Sequence, residues 1–120
     1  MKTENAIQVK SYAFAIRIVN VYRYLTKEKQ EFVLSKQLLK SGTSIGANVE
    51  EGIGGQSERD FYTKLNIAYK EAREPHYWLR LLKDTNYLSA KEAKSLLEDC
   101  NELLRIIVAI IKTMKSKFNY

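Results

Sequence analysis

The chain has one cysteine, one histidine, one proline and one tryptophan among its 120 residues. Each shortage excludes something. A lone Cys100 cannot close an internal disulfide, and no Cys/His spacing suggests zinc. A lone His76 cannot supply the two Glu-x-x-His motifs that di-iron bundles use. No P-loop and no dinucleotide fingerprint is present. Catalytic candidates are sparse, so the expectation is a non-enzyme without cofactor or metal. The longest purely apolar run, Ile106 to Ile111, is far shorter than the ~20 residues a bilayer span needs. No signal peptide is expected ahead of the first helix, and a reducing cytoplasm is the expected setting, with no membrane partner. Cys100 lies among Leu96, Leu97, Leu103 and Leu104 and reads as a small core residue.

Chain breakers are also few. Pro75 stands alone, and the five glycines cluster between Gly42 and Gly55. Little punctuation elsewhere favours long helices over many short strands. Four stripes with helical spacing follow. The first helix is expected over 4–25, with Ile7, Ser11, Phe14, Ile18, Val21 and Leu25. The second, over 32–51, carries Leu34, Leu38, Ser41, Ile45, Val49 and Gly52. The third runs from 58 to about 87, through Phe61, Leu65, Ala68, Ala72, Leu79 and Leu82. Ser57 is its expected N-cap, with Glu58 and Asp60 in the first turn. Pro75 is expected to kink this helix rather than break it, because the apolar period resumes beyond it. Ser89 and Glu92 read as a capping box for a fourth helix to about Lys115. Four long helices with short loops bury their stripes as an antiparallel up-down-up-down four-helix bundle, one all-α domain over 1–120.

The most distinctive stretch runs from Ser41 to Gly52. Gly42 and Gly46 lie on one helical face, a costly choice in a helix interior at about 1 kcal/mol each relative to alanine. Such a face lets a second backbone come close. Tight packing within one bundle is the first reading, and a contact between subunits the second. Asn48 is expected to face inward between Ile45 and Val49, where it needs partners. Glu50 and Glu51 near a helix C-terminus need cationic or donor partners to offset the macrodipole. Gly52 is expected to end the helix in the left-handed conformation. Counting back from the Gly-rich turn puts Asn48 opposite Phe61 to Leu65. Glu71 and Glu74 then lie too high to reach Glu51 within one subunit. They read either as a solvated helix face or as a subunit interface.

The net charge is +6, from 20 basic and 14 acidic side chains. That excess permits an RNA, DNA or acidic-protein partner without requiring one. One end of the bundle would hold Lys27, Lys29, Arg80 and Lys83. The other would hold the acidic turn and the basic segment Lys112, Lys115 and Lys117. These seven are the candidate nucleic-acid-binding residues.

The residues Ser44-Ile45, Asn48-Val49 and Glu51-Gly52, preceded by Gln37-Leu38 and Ser41, resemble a family encoded by intervening sequences in bacterial 23S ribosomal RNA genes. The likeness continues through Phe61, Leu65, Ile67-Ala68, Glu71-Ala72, Glu74 and Tyr77-Trp78-Leu79. Pro75 departs from the pattern, where a small polar residue is more usual. The resemblance implies a homopentamer of four-helix bundles around a central channel. The chain is also similar to the accessory variability proteins of diversity-generating retroelements, which bind nucleic acid and a reverse transcriptase. No catalytic residues carry over. Ser44, Asn48, Glu51, Gly52, Glu71 and Glu74 are expected to be structural. The expected function is nucleic-acid or nucleoprotein binding without catalysis. The rival is a purely structural or protein-interaction module whose charge serves solubility.

Overall fold

Each of the four stripes becomes a helix. The computed structural model describes residues 2–120, and their side chains from residue 6 onward. In chain order the helices are α1 (Lys2–Lys27), α2 (Leu34–Ile53), α3 (Glu58–Asp84) and α4 (Ala90–Phe118). Among the described residues there is no strand. Among the described residues each helix packs on two neighbours, α1 on α2 and α4, α3 on α2 and α4, and the backbones of the diagonal pairs do not come close. This is a square antiparallel bundle, 47 × 22 × 20 Å. The α1–α2 face and the α3–α4 face therefore lie on opposite sides.

The core is built from the expected stripe residues. Ile7, Phe14, Ile18 and Leu25 of α1 meet Leu38, Ile45 and Val49 of α2, and all are buried. Leu65, Leu79 and Leu82 of α3 meet Leu96, Leu103 and Ile107 of α4 in the same cluster. Burying each such side chain stabilises by about 1.5–3 kcal/mol before the entropy of ordering it. Ser11 and Ser41 are buried with them, and each hydroxyl donates to a carbonyl one turn back. Among the described residues no buried side-chain polar atom lacks a hydrogen-bond partner.

The helix starts follow local chemistry. The Asp60 N–H donates to Ser57 Oγ at 3.1 Å, and the Asp60 carboxylate accepts from the Gln56 N–H at 3.0 Å. At α4 the Glu92 N–H donates to Ser89 Oγ, whose hydroxyl donates in turn to Glu92 Oε1. The start of α2 was not legible. Val33 at its N-cap offers no side-chain oxygen. Glu31, three residues before the helix, does that work. Its carboxylate accepts from the N–H groups of Val33, Leu34 and Ser35 at 3.2, 3.0 and 2.7 Å. Burial by itself would raise this carboxyl's pKa, but the three backbone donors and the Ser35 side chain hold it below the usual range.

Three helix ends differ from expectation. α2 continues through Gly52 to Ile53, and Gly52 is not left-handed. It is a glycine because α3 comes too close. A Cβ there would lie 3.0 Å from Phe61 Cδ1 and 3.1 Å from Lys64 Cβ. α3 stops at Asp84, with Asn86 taking the positive φ of 68° that turns the chain. α4 runs on to Phe118. There Tyr120 folds back on Tyr62, with centroids 4.8 Å apart, beneath the Arg59 guanidinium.

α3 passes through a buried Pro75 without a break. Pro75 has no N–H to give, and its ring crowds the carbonyl of Glu71. Beside it, the buried Cys100 thiol donates to the Ala72 carbonyl at 3.3 Å. Burial and the neighbouring Asp99 push this thiol's pKa up to about 12, against a small opposing pull from the His76 N–H. Cys100 is thus a protonated packing residue and not a reactive thiolate.

Candidate nucleic-acid interface

The α2 stretch, which dominates the sequence, is occupied by contacts within the fold. A Cβ on Gly42 would lie 2.8 Å from Ile18 Cγ1, and one on Gly46 would lie 3.4 Å from the Ser11 carbonyl oxygen. Gly42 therefore lets α1 approach, and the packing reading holds for it, whereas a Cβ on Gly46 would make only ordinary contact. Thr43 and Ser44 hydroxyls donate to the carbonyls of Leu39 and Ser41. Asn48 is partly rather than fully buried. Its Nδ2 donates to the Ser44 carbonyl at 3.0 Å and to Glu71 Oε2 at 2.8 Å.

That last bond corrects the expected register. Helical side chains lean toward their helix N-terminus. On antiparallel α2 and α3 the two leans are opposed, so the Asn48 and Glu71 side chains reach toward each other. Glu71 is thereby tied inside one chain. Glu51 pairs with Lys64 at 2.9 Å. Glu74 is exposed and accepts a long bond, 3.4 Å, from Trp78 Nε1. On the α1–α4 side, Lys10 pairs with Glu102 at 3.0 Å and Arg17 with Asp99 at 2.6 Å.

A groove between α3 and α4, of about 550 Å³, has the opposite character. Arg73, His76 and Arg80 border it from α3, and Arg105 and Lys112 from α4. Leu104, Val108 and Ala109 form an apolar floor beside Tyr69. The positions 69, 73, 76 and 80 fall on one helical face, as do 101, 105, 108 and 112. Among the described residues none of these four arginine and lysine side chains has a carboxylate within ion-pair distance. His76 sits partly buried among them. Burial, then the charges of Arg80 and Arg73, lower its pKa below the ordinary histidine value. Such a groove can hold phosphates and exclude cations. Among the described residues no group of three His, Cys, Asp or Glu side chains could hold a metal ion.

The seven candidate residues divide. Arg80 and Lys112, expected at opposite ends, line the same groove. They do so from its two ends: the Cys100–Ala72 contact lies between them, with Arg80 toward the third loop and Lys112 toward the far end of α4. Arg80 folds back one turn, with Nε donating to the His76 carbonyl at 3.4 Å. Lys29 and Lys83 share a second hollow of similar size, about 560 Å³, with Tyr24, Asp84 and Glu92. There Lys83 pairs with Asp84 at 3.6 Å and Lys29 lies over the Tyr24 ring at 6.0 Å. Lys27, Lys115 and Lys117 are exposed and line neither hollow. Arg73 and Arg105 were missed. Their spacing of three and four from His76, Tyr69, Asn101 and Val108 was readable, but which helix faces them was not.

Among the described residues no helix is long and apolar enough to cross a membrane. The search of curated proteins returned no match. A crystal structure from Bacteroides thetaiotaomicron, described as a protein of unknown function from the S23 ribosomal protein family, superposes with a TM-score of 0.89. The two share 49% identity over 92% of this chain and 98% of that one. The family model described as 23S rRNA-intervening sequence protein matches residues 3–109. With that span matched and the bundle shared, the chain belongs to the 23S rRNA-intervening sequence protein family.

Proposed function

We propose that this protein is a non-catalytic, self-associating bundle that binds nucleic acid through the α3–α4 groove. The observation that carries the reading is the clustering of Arg73, Arg80, Arg105 and Lys112 around one concavity. Lys10, Arg17 and Lys64 are matched to carboxylates across helix pairs, and exposed cations such as Lys27, Lys115 and Lys117 line no such concavity, so it is the gathering of four cations in one hollow that sets this groove apart. Unmatched cations in a concave site raise the local concentration of polyanions.

Self-association has its own support on the opposite side of the bundle. Val9, Tyr12 and Ile16 of α1 are 66, 65 and 50% exposed and lie on one helical face. Beside them is a small, mostly apolar hollow between α1 and α2, bordered by Thr43, Gly46 and Ala47. A partner copy seated there would leave the α3–α4 groove open. Five copies is the number the family resemblance suggests. A protein partner such as a reverse transcriptase belongs to the same suggestion.

Salt titration tests the nucleic-acid reading. Phosphate binding releases counterions, so the logarithm of affinity should fall by roughly 0.7 to 0.9 per phosphate contacted for each decade of salt. Structured RNA, duplex DNA and heparin would be compared at two salt concentrations, before and after Arg73→Ala with Arg105→Ala. Absence of binding at low salt would favour the rival interaction module. Sedimentation equilibrium of the parent and of Tyr12→Glu with Ile16→Glu tests the assembly. The parent should be oligomeric and the variant should dissociate.

A further inference from the structure

We infer that the α3–α4 groove takes a single strand rather than a duplex, with phosphates on the cationic rims and a base against the apolar floor. This rests on the nucleic-acid reading above and narrows it. The lined stretches of α3 and α4 are staggered about the Cys100–Ala72 contact, so from Arg80 to Lys112 the groove covers about 20 residue steps, roughly 30 Å at the rise of an α-helix. The rims and the floor ask for different things. Arg73 and Arg80 toward one end and Arg105 and Lys112 toward the other suit an anionic backbone running along the groove. Leu104, Val108 and Ala109 suit a flat apolar surface.

A duplex supplies only the first. Its base faces are stacked inside, and it presents phosphate rails and polar base edges. Laid across this groove, it would contact the rims and leave the floor uncovered. A single strand offers both a backbone and unstacked base faces, which is the combination that cationic grooves with aromatic or apolar platforms exploit. Tyr69 and His76 add π surfaces at the edge, and Asn101 adds an amide able to donate to and accept from a base edge. The other hollow also has rings, Tyr24 and Tyr87, beside its lysines, but Asp84 and Glu92 offset their charge and would repel a phosphate.

The test uses the full chain and fluorescence anisotropy. An unstructured oligouridine and a hairpin duplex of matched length are titrated at the same salt. The single strand should bind about tenfold tighter or more, given what a stacked base contributes. Arg73→Ala with Arg105→Ala should weaken it about tenfold and reduce the salt slope by roughly 1.4, two single-strand phosphate contacts. Ala109→Leu is the more specific probe. It adds a good helix former at an exposed position, fills the floor and leaves every charge in place. It should weaken the oligouridine about fivefold and leave any duplex binding unchanged, with an unaltered melting temperature. A duplex that binds as tightly as the single strand would overturn the inference while the nucleic-acid reading stands. Absence of binding to either would overturn both. An acidic peptide that binds as tightly as oligouridine would make the groove a protein-docking site and overturn the inference. So would oligouridine binding that Ala109→Leu leaves intact.

Discussion

Along α2, Ser41, Thr43 and Ser44 spend their hydroxyl protons on carbonyls of the preceding turn, and Asn48 spends its amide on Ser44 and Glu71. In the α3–α4 groove, the exposed Arg73, Arg105 and Lys112 border a hollow with apolar lining and pair with no carboxylate among the described residues. The first region is the most distinctive part of the sequence, and the second is scattered along two helices. A polar group already satisfied inside the fold has little left to offer a partner. A cation left unmatched in a hollow has a full charge to offer. The difference separates residues that hold the bundle together from residues that can recognise something outside it.

Substitutions can break that comparison, and Gly42→Val should have the largest effect. Even a Cβ at Gly42 meets Ile18 at 2.8 Å, so two further methyl groups force α1 and α2 apart. A loss of about 2–3 kcal/mol is expected in urea unfolding. Gly46→Ala is the control, because its Cβ would make ordinary contact. It should be neutral or stabilise by up to about 1 kcal/mol. Equal damage from both would show that the α1–α2 contact is not as the geometry describes.

Asn48→Ala comes next. It leaves the partly buried Glu71 carboxylate without its amide donor, and about 1–2 kcal/mol should be lost from thermal or urea unfolding. Affinity for oligouridine should not change. Unaltered stability with lost binding would move Asn48 from the structural region to the functional one.

Glu31→Gln should cost about 1 kcal/mol at neutral pH, the usual value of an N-terminal cap. The pH dependence has a definite sign. The Glu31 pKa is lowered in the folded chain, so its contribution is present above the unfolded carboxyl pKa and is lost as pH falls through the folded value. Parent and variant should therefore converge in acid, and a difference that persists unchanged at low pH would refute the cap.

The smallest expected effect belongs to His76. Arg73 and Arg80 on its own helix and Arg105 and Lys112 on α4 all border the same groove. A bound phosphate would offset those charges and raise the His76 pKa, so binding would take up a proton. Oligouridine affinity should rise a few-fold as pH falls through the histidine range, and His76→Gln should flatten that rise. A slope that survives the substitution would place the titrating group elsewhere.

The sequence by itself determined the four helices, the starts at Ser57 and Ser89 and the buried stripe from Ile7 to Met114, because periodicity and capping are local. It also carried the family likeness, in residues most of which turn out to be packed or paired, such as Ile45, Asn48, Leu65 and Glu71. Tertiary structure decided which polar groups meet. The Glu31 cap depends on a chain reversal at Gln30, with its positive φ of 52°, which no motif announced. The meeting of Asn48 with Glu71 depends on side chains leaning in opposite senses on antiparallel helices, and Arg80 and Lys112 share one groove because α3 and α4 pack along its length. Counting residues from a turn orders positions along the axis but leaves out which way each side chain leans, and Asn48 meets Glu71 through that lean. The groove and its ring of cations therefore came from the packing of α3 on α4 and from nothing written in either helix alone.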